Sequence, residues 1–376
     1  MNCDVELPAE LNSGLIGRPD RRDDVHKWGI PMQFDYLVFI GRFEPFHSGH
    51  HAVVSRALGL AKQVIILIGS ANKPRTIRNP WNVSEREVMI RAAFPNDAAR
   101  LSIRPLRDHL YNDALWVSEV QRIVAECTAG APNDGKVGLI GHQKDHSSYY
   151  LEMFPQWELV SSANVAGVSA SDLRDYLFDN ETREVGKDML IQAAVPAPVF
   201  AMLKGFRDGP QFAQLVREHQ FIRTYRKSWA AAPYAPTFVT VDAVVVHSGH
   251  VLLVRRRAEP GKGLWAFPGG FVDNNETLEH AVLRELREET RLRLPVPVLR
   301  GSIKHREVFD HPDRSLRGRT ITHAFHFEFP SGDLPSIRAG DDADRARWVP
   351  ISEALDMEEQ FFEDHFHVLE HFLGRA

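Results

Sequence analysis

Cysteine is nearly absent from this chain: of 376 residues, only Cys3 and Cys127 carry a thiol. Neither a disulfide framework nor a cysteine-rich zinc site can be assembled from two such residues, and a reducing compartment is expected. Long apolar runs are missing too. None approaches the roughly 18 residues of a membrane span, and the opening MNCDVELPAELNSGL has neither the basic start nor the apolar core of a signal peptide. The expectation is a cytoplasmic protein with no membrane partner. Charge of one sign is not in excess: 45 Lys plus Arg face 50 Asp plus Glu, a formal net charge of -5, which argues against an extended nucleic-acid surface. Internal repeats and low-complexity segments are lacking as well.

What is present divides the chain. Its length exceeds one ordinary core. Residues 1–33 are polar, interrupted by Gly17, Pro19 and Pro31, and read as a loosely ordered extension. From Phe34 strands and helices alternate, with strands expected at Tyr36–Ile40, Gln63–Gly69, Ala99–Pro105, Lys136–Gly141 and Trp157–Val160. Helices are expected at Ser48–Leu60, Ser84–Phe94 and Asp113–Cys127. In the last, Leu115, Trp116, Val120, Ile123 and Val124 recur at helical spacing and read as a core face. This alternation predicts an α/β, Rossmann-like, doubly wound parallel sheet over residues 34–230, closed by a helical stretch from about Ala197 to Arg226. KSWAAAPYAPT reads as a linker. Residues 231–376 open with two strands around a turn at Ser248-Gly249, which predicts an α+β second domain.

The stretch GRFEPFHSGH, Gly41 to His50, lies at a strand-to-helix turn. Free backbone N–H groups and the positive helix end there make a phosphate site, to which Arg42 adds fixed charge and His47 and His50 add ring donors. A nucleotide triphosphate is the expected ligand. By itself a histidine pair at this spacing is more often structural, and metal ligation is a further alternative. Two other clusters strengthen the phosphate reading. Lys73, Arg75 and Arg78 fall in the loop after the second strand, where open α/β sheets bind ligands. In VSASDLR, Ser169 and Ser171 stand at a helix start with Arg174 one turn inside.

With these motifs the first domain resembles the HxGH nucleotidyltransferases, and among them nicotinamide mononucleotide (NMN) adenylyltransferases. GHQKDHSSYYLEMFP and the RNPW segment at Arg78–Trp81 narrow the likeness to a bacterial form fused to a second enzyme. The resemblance implies attack of the NMN 5'-phosphate on the α-phosphorus of ATP, giving NAD and pyrophosphate with Mg2+ on the phosphates. His47, His50 and Arg174 are then catalytic. Gly41, Arg42, Phe43, Arg78, Asn79, Trp81, Ser169 and Ser171 bind substrate, Trp81 stacking on the nicotinamide ring or else serving the core. Lys144 and Asp145 contact ligand or cap a helix. The family commonly has Gln where this chain has Glu44, a carboxylate that must turn away from phosphate or pair with a cation such as Arg42 or a metal. An acceptor other than NMN is the alternative.

In the second domain Glu285, Glu288 and Glu289 share one helical face, while Leu278, Val282 and Leu286 share another. A solvated acidic face is the bland reading of three such carboxylates. The pattern Gx5Ex7REUxEE, with U aliphatic, is nevertheless met from Gly270 through Glu276, Arg284, Glu285, Leu286, Glu288 and Glu289. It resembles the Nudix hydrolase box. That likeness implies Glu285, Glu288 and Glu289 as catalytic ligands of Mg2+ or Mn2+, a structural Glu276–Arg284 ion pair, and Trp265 and Phe267 near the site. FDHPDRSLRGRTITHAFHF is similar to a segment of ADP-ribose pyrophosphatases. It implies hydrolysis of ADP-ribose to AMP and ribose 5-phosphate, with Arg314 and Arg319, and Arg317 between them, as phosphate binders or surface charges. The box normally ends with Gly where Arg291 stands, so a strained or displaced helix end is expected. A non-hydrolytic ligand sensor is the alternative for this domain. Oligomeric state is left open, a homo-oligomer included.

Overall fold

The computed structural model describes residues 32–131, 135–141, 146–162, 169–179, 185–329, 331–340 and 342–374. The expectations for the N-terminal extension and for Lys144 and Asp145 fall outside them.

Five parallel strands, β1 (Phe34–Gly41), β2 (Ala61–Ile68), β3 (Leu101–Pro105), β4 (Val137–Gly141) and β5 (Glu158–Ser161), form the first sheet in the order β3-β2-β1-β4-β5. Alternation along the strands sends Leu37, Phe39, Val64, Ile66 and Ile68 to one face and Val38, Ile40, Ile65 and Leu67 to the other. Onto the first face pack helices α1 (Ser48–Leu60), α2 (Val83–Ala93), α4 (Ala170–Phe178), α5 (Val185–Ala194), α6 (Ala197–Phe206) and α7 (Pro210–Ser228). Helix α3 (Asp113–Thr128) covers the second face with Val120, Ile123 and Val124. Its Leu115, expected in the core, is exposed, and Trp116 is only partly buried.

The stretch expected as helical from Ala197 to Arg226 is two helices. Pro210 begins α7 as its first residue, and a proline disfavours helix in the residue before it. The third strand starts two residues later than expected, after a short 3-10 turn at Ala98–Arg100.

The second sheet has seven strands: β6 (Thr237–His247), β7 (His250–Arg256), β8 (Trp265–Ala266), β9 (Gly269–Phe271), β10 (Ile303–Phe309), β11 (Arg319–Glu328) and β12 (Ala343–Pro350). Five run β10-β11-β6-β7-β12, with β8 beside β7 and β9 beside β6. The β6–β7 hairpin turns at Ser248 and Gly249, both at positive φ (46° and 73°) as a tight two-residue turn requires. Val241, Ala243 and Val245 meet α8 (Leu278–Thr290) and α9 (Val296–Gly301) on one face. On the other, Val244, Val251 and Leu253 meet α10 (Ile351–Leu355) and α11 (His365–Phe372). Two layered cores result, joined through α7 and the β10–β11 loop.

Candidate functional sites

Strand β1 delivers the first turn to the carboxyl edge of its sheet, where β1 parts from β2 on one side and β4 on the other, the usual ligand position in such sheets. His47 is the N-cap of α1, its Nδ1 accepting the Gly49 N–H at 3.1 Å, while Nδ1 of His50 accepts the His47 N–H at 3.3 Å. The rings stack with centroids 3.7 Å apart. With both Nδ1 lone pairs engaged, a neutral imidazole at either position carries its proton on Nε2. Beneath them Phe43 is buried at φ 57°, edge-on to His50 with centroids 4.9 Å apart. Gly41 is needed for that packing, since a Cβ there would stand 2.9 Å from the Phe43 ring.

Helix α4 carries Arg174 to the same turn. Its Nη1 donates to the Glu44 carbonyl at 2.6 Å and its Nη2 to Ser171 Oγ at 3.1 Å. Ser169 caps the helix by accepting the Ser171 N–H. Burial, reinforced by Arg42, brings the Arg174 pKa down to about 10, so the group stays charged in a place where anion binding relieves its desolvation.

Glu44 turns away from the turn. Its carboxylate is buried, pairs with Arg86 at 3.2 Å and accepts the Trp81 N–H at 3.2 Å. Burial pushes its pKa up to about 7, tempered mainly by Arg86. Arg86 also donates to the carbonyls of Arg42 (2.8 Å), Gly69 (2.7 Å) and Ser70 (3.2 Å), holding the ends of β1 and β2 in place. The sequence reading missed Arg86. Its signal was available: on α2 it stands one turn before Met89 and Ile90, the buried stripe.

Next to the turn lies a cavity of about 380 Å³ whose walls include Arg42, Lys73, Arg78, Asn79, Asp108 and Trp116. The Asn79 side-chain oxygen is buried there with no hydrogen-bond partner among the described residues. Of the two roles open to Trp81, stacking on a ligand ring or serving the core, the structure shows the second: it is 2 % exposed and packs on Phe206. Trp116 is the tryptophan at the cavity. Lys73 reaches His367 at 2.6 Å, and Arg75 pairs with Glu85 at 2.9 Å.

The second site is built on α8. Glu289 is buried and accepts the Gly269 N–H at 3.1 Å; burial pushes its carboxyl up to about 8. Gly270 is demanded by Glu285, because a Cβ at that position would lie 2.4 Å from Glu285 Oε1. Arg284 pairs with Glu276 (2.6 Å), Glu285 (2.8 Å) and Glu288 (3.0 Å) and is raised well above the usual guanidinium range, chiefly by Glu276. A cavity of about 370 Å³ is lined by Glu285, Glu289, Arg256 and Arg317, with Phe221 and Tyr225 entering from α7 of the first domain. Trp265 and Phe267 are buried, Phe267 at the cavity wall.

Carboxylate oxygens are the donor type that Mg2+ and Mn2+ prefer, and the raised Glu289 is a buried acid that a cation would stabilise in its ionised form. Among the described residues no three such side chains converge on one point by themselves, Arg284 standing between Glu285 and Glu288. Arg314 is buried and held by both oxygens of Asp364 at 2.8 and 2.9 Å, and Arg319 pairs with Asp310 at 3.3 Å. Arg317, over the Phe271 ring at 5.0 Å, is the third arginine of that segment.

Arg291 takes the left-handed conformation that the glycine would have supplied, at φ 53° and ψ 26°. The helix end has not moved: α8 stops at Thr290, and Gly340 and Arg338 donate to the carbonyls of Glu289 (3.0 Å) and Thr290 (2.8 Å).

Two family models match the chain, a cytidylyltransferase-like one over residues 38–175 and the NUDIX domain over residues 236–372. A nicotinamide/nicotinic acid mononucleotide adenylyltransferase of Acinetobacter baylyi is 38% identical over 190 residues, spanning 50% of this chain and 95% of the relative. An ADP-ribose pyrophosphatase of Methanocaldococcus jannaschii is 34% identical over 144 residues, 38% of this chain and 76% of the relative. A bifunctional NMN adenylyltransferase/ADP-ribose pyrophosphatase of Francisella tularensis, solved in complex with AMP and a manganese ion, superposes with a TM-score of 0.82 at 34% identity. That match covers 91% of this chain and 99% of the other.

Proposed function

The chain belongs to the family of bifunctional NMN adenylyltransferase/ADP-ribose pyrophosphatases, and on that premise we propose that it forms NAD at its first site and hydrolyses ADP-ribose at its second. The observation that carries the transfer reading is the capped histidine pair, whose Nδ1 atoms are both taken up by backbone N–H groups at the turn to which Arg174 is also held. In adenylyl transfer an oxygen of the NMN 5'-phosphate bonds to the α-phosphorus of ATP as the bond to the pyrophosphate oxygen breaks. Such a step needs positioned donors rather than a protein nucleophile. His47 and His50 donate to the α-phosphate and leaving oxygens, while Arg174, Ser169 and Ser171 hold the outer phosphates. Arg42, Arg78 and Asn79 then receive the acceptor, with Trp116 at the cavity wall to stack on its ring. The partners are ATP with its Mg2+, NMN, NAD and ADP-ribose.

At the second site Glu285, Glu288 and Glu289 would hold Mg2+ or Mn2+, which supplies Lewis acidity and an activated water when bound. The chain's own part is to fix the three carboxylates, through Arg284 and the Gly269 N–H, against a cavity with Arg256 and Arg317 for a diphosphate. Arg291 closes α8 without shifting its end, so the helix that carries those carboxylates keeps its length, which favours hydrolysis over a non-hydrolytic sensor. Domain boundaries near residues 34, 230 and 376 are part of the same reading.

The test supplies ATP, NMN and Mg2+, then separately ADP-ribose, to the wild type and to His50→Ala and Glu288→Gln. The first change is expected to lower NAD formation about 10²–10³-fold and the second to lower only hydrolysis, by a similar factor. A wild type that leaves ADP-ribose intact removes the hydrolase assignment.

A further inference from the structure

The cavity beside the histidine turn is not a property of the first domain alone. Its far wall comes from the β10–β11 loop and the segment before α11, with His311, Asp313, Leu316, Phe362 and Glu363 facing Arg42, Arg78 and Trp116. Two contacts tie that wall to opposite sides of the cavity. On one side, Arg78 donates to the Asp313 carbonyl and pairs with its carboxylate at 2.9 Å. On the other, Tyr111, just ahead of the helix that carries Trp116, donates its hydroxyl to Asp364 at 2.6 Å. Asp364 is fully buried and also grips Arg314, so the segment from Asp313 to Arg314 is anchored at the point where it meets Arg78. A third tie runs through Glu218 on α7, which accepts the N–H of Ile77, next to Arg78, at 2.8 Å and that of Gly261 in the second domain at 3.3 Å.

Resting on the transferase reading above, we propose that the acceptor pocket is built by both domains: Asp313 and Asp364 are positioning residues that hold Arg78 and the start of α3 at the spacing NMN requires. An arginine held in advance by a carboxylate and a carbonyl loses less freedom when it binds a ligand. The helix start held through Tyr111 likewise presents Trp116 in one place. The second domain therefore contributes to NMN binding without touching the α-phosphorus.

The test is the double variant Tyr111→Phe/Asp313→Ala in the full chain, which removes one hydroxyl and one exposed carboxylate and leaves the Asp364–Arg314 pair in place. NMN affinity, read by calorimetry and as KM, is expected to weaken about three- to tenfold, with KM for ATP and kcat within about twofold. ADP-ribose hydrolysis by the same preparation serves as the check that the chain has folded. Equal NMN affinity in a variant that still hydrolyses ADP-ribose overturns this inference alone. A wild type that forms no NAD overturns the transferase reading and this inference with it. Parallel losses in KM for ATP and in kcat also count against it, because they report a general loosening of the fold.

Discussion

In the first domain the Arg174 guanidinium meets the carbonyl of Glu44 across 130 residues of sequence, and Arg86 gathers carbonyls from two strand ends. In the second, Arg284 orders Glu276, Glu285 and Glu288 within one helix and the turn before it. One site is convergent and one is local. A convergent site depends on the sheet for its geometry, so a change far from the chemistry can disperse it. The local site keeps its carboxylates wherever the helix forms and is exposed instead to changes in charge. Four substitutions break or sharpen that contrast.

The largest effect is expected from Arg86→Met. It strands the buried Glu44 carboxylate and three carbonyls, and should cost about 3–5 kcal/mol in denaturant unfolding of the first domain while ADP-ribose hydrolysis persists. An unfolding midpoint equal to that of wild type would mean the strand ends hold themselves.

Next comes Glu289→Gln, read by thermal unfolding of metal-free protein from pH 5 to pH 9. The folded-state pKa of Glu289 lies above its ordinary value, so the stability its protonated form contributes is fully present below about pH 4.5 and is lost as pH rises through about 8. Glutamine cannot ionise. The variant should therefore gain on wild type across that window by at most a few kcal/mol, and should show the reverse order once Mn2+ is added. A pH-independent difference would place the cost elsewhere.

Arg291→Gly relieves a left-handed arginine and should stabilise the second domain by about 1 kcal/mol without altering hydrolysis. A loss of activity would give Arg291 a role beyond closing the helix.

The smallest effect is expected from Glu44→Gln. Arg86 keeps its three carbonyls and the amide oxygen still accepts the Trp81 N–H, so NAD formation should stay within a few fold, as kinetics at pH 7 and pH 8.5 would show. A drop of orders of magnitude would put the carboxylate in the reaction.

How much could be read in advance follows the same contrast. All five strands of the first sheet, the hairpin at Ser248-Gly249, the capped turn at His47 and the Glu276–Arg284 pair were legible, because each is written in a short stretch with its own period, cap or spacing. The two-helix break is written as locally, in Pro210 at the first position of α7. Trp81 could be read either as a stacking residue or as core, and only the packing puts it in the core; Trp116, read as core, packs against the core and also lines the cavity, because the sheet sets which side of each helix is covered. Arg314 gave no sign of its partner Asp364, 50 residues on.

By itself, then, the sequence determined the two architectures, the strand-to-helix turn and the acidic helix, because backbone caps, φ preferences and side-chain periodicity act over a few residues. Only the tertiary structure decided that Glu44 faces Arg86 rather than phosphate, and that Asp313 and Asp364 stand at the edge of the cavity beside the histidine turn. Those pairings depend on which faces the two cores bury against each other, a choice made by packing over the whole chain and not by any one segment.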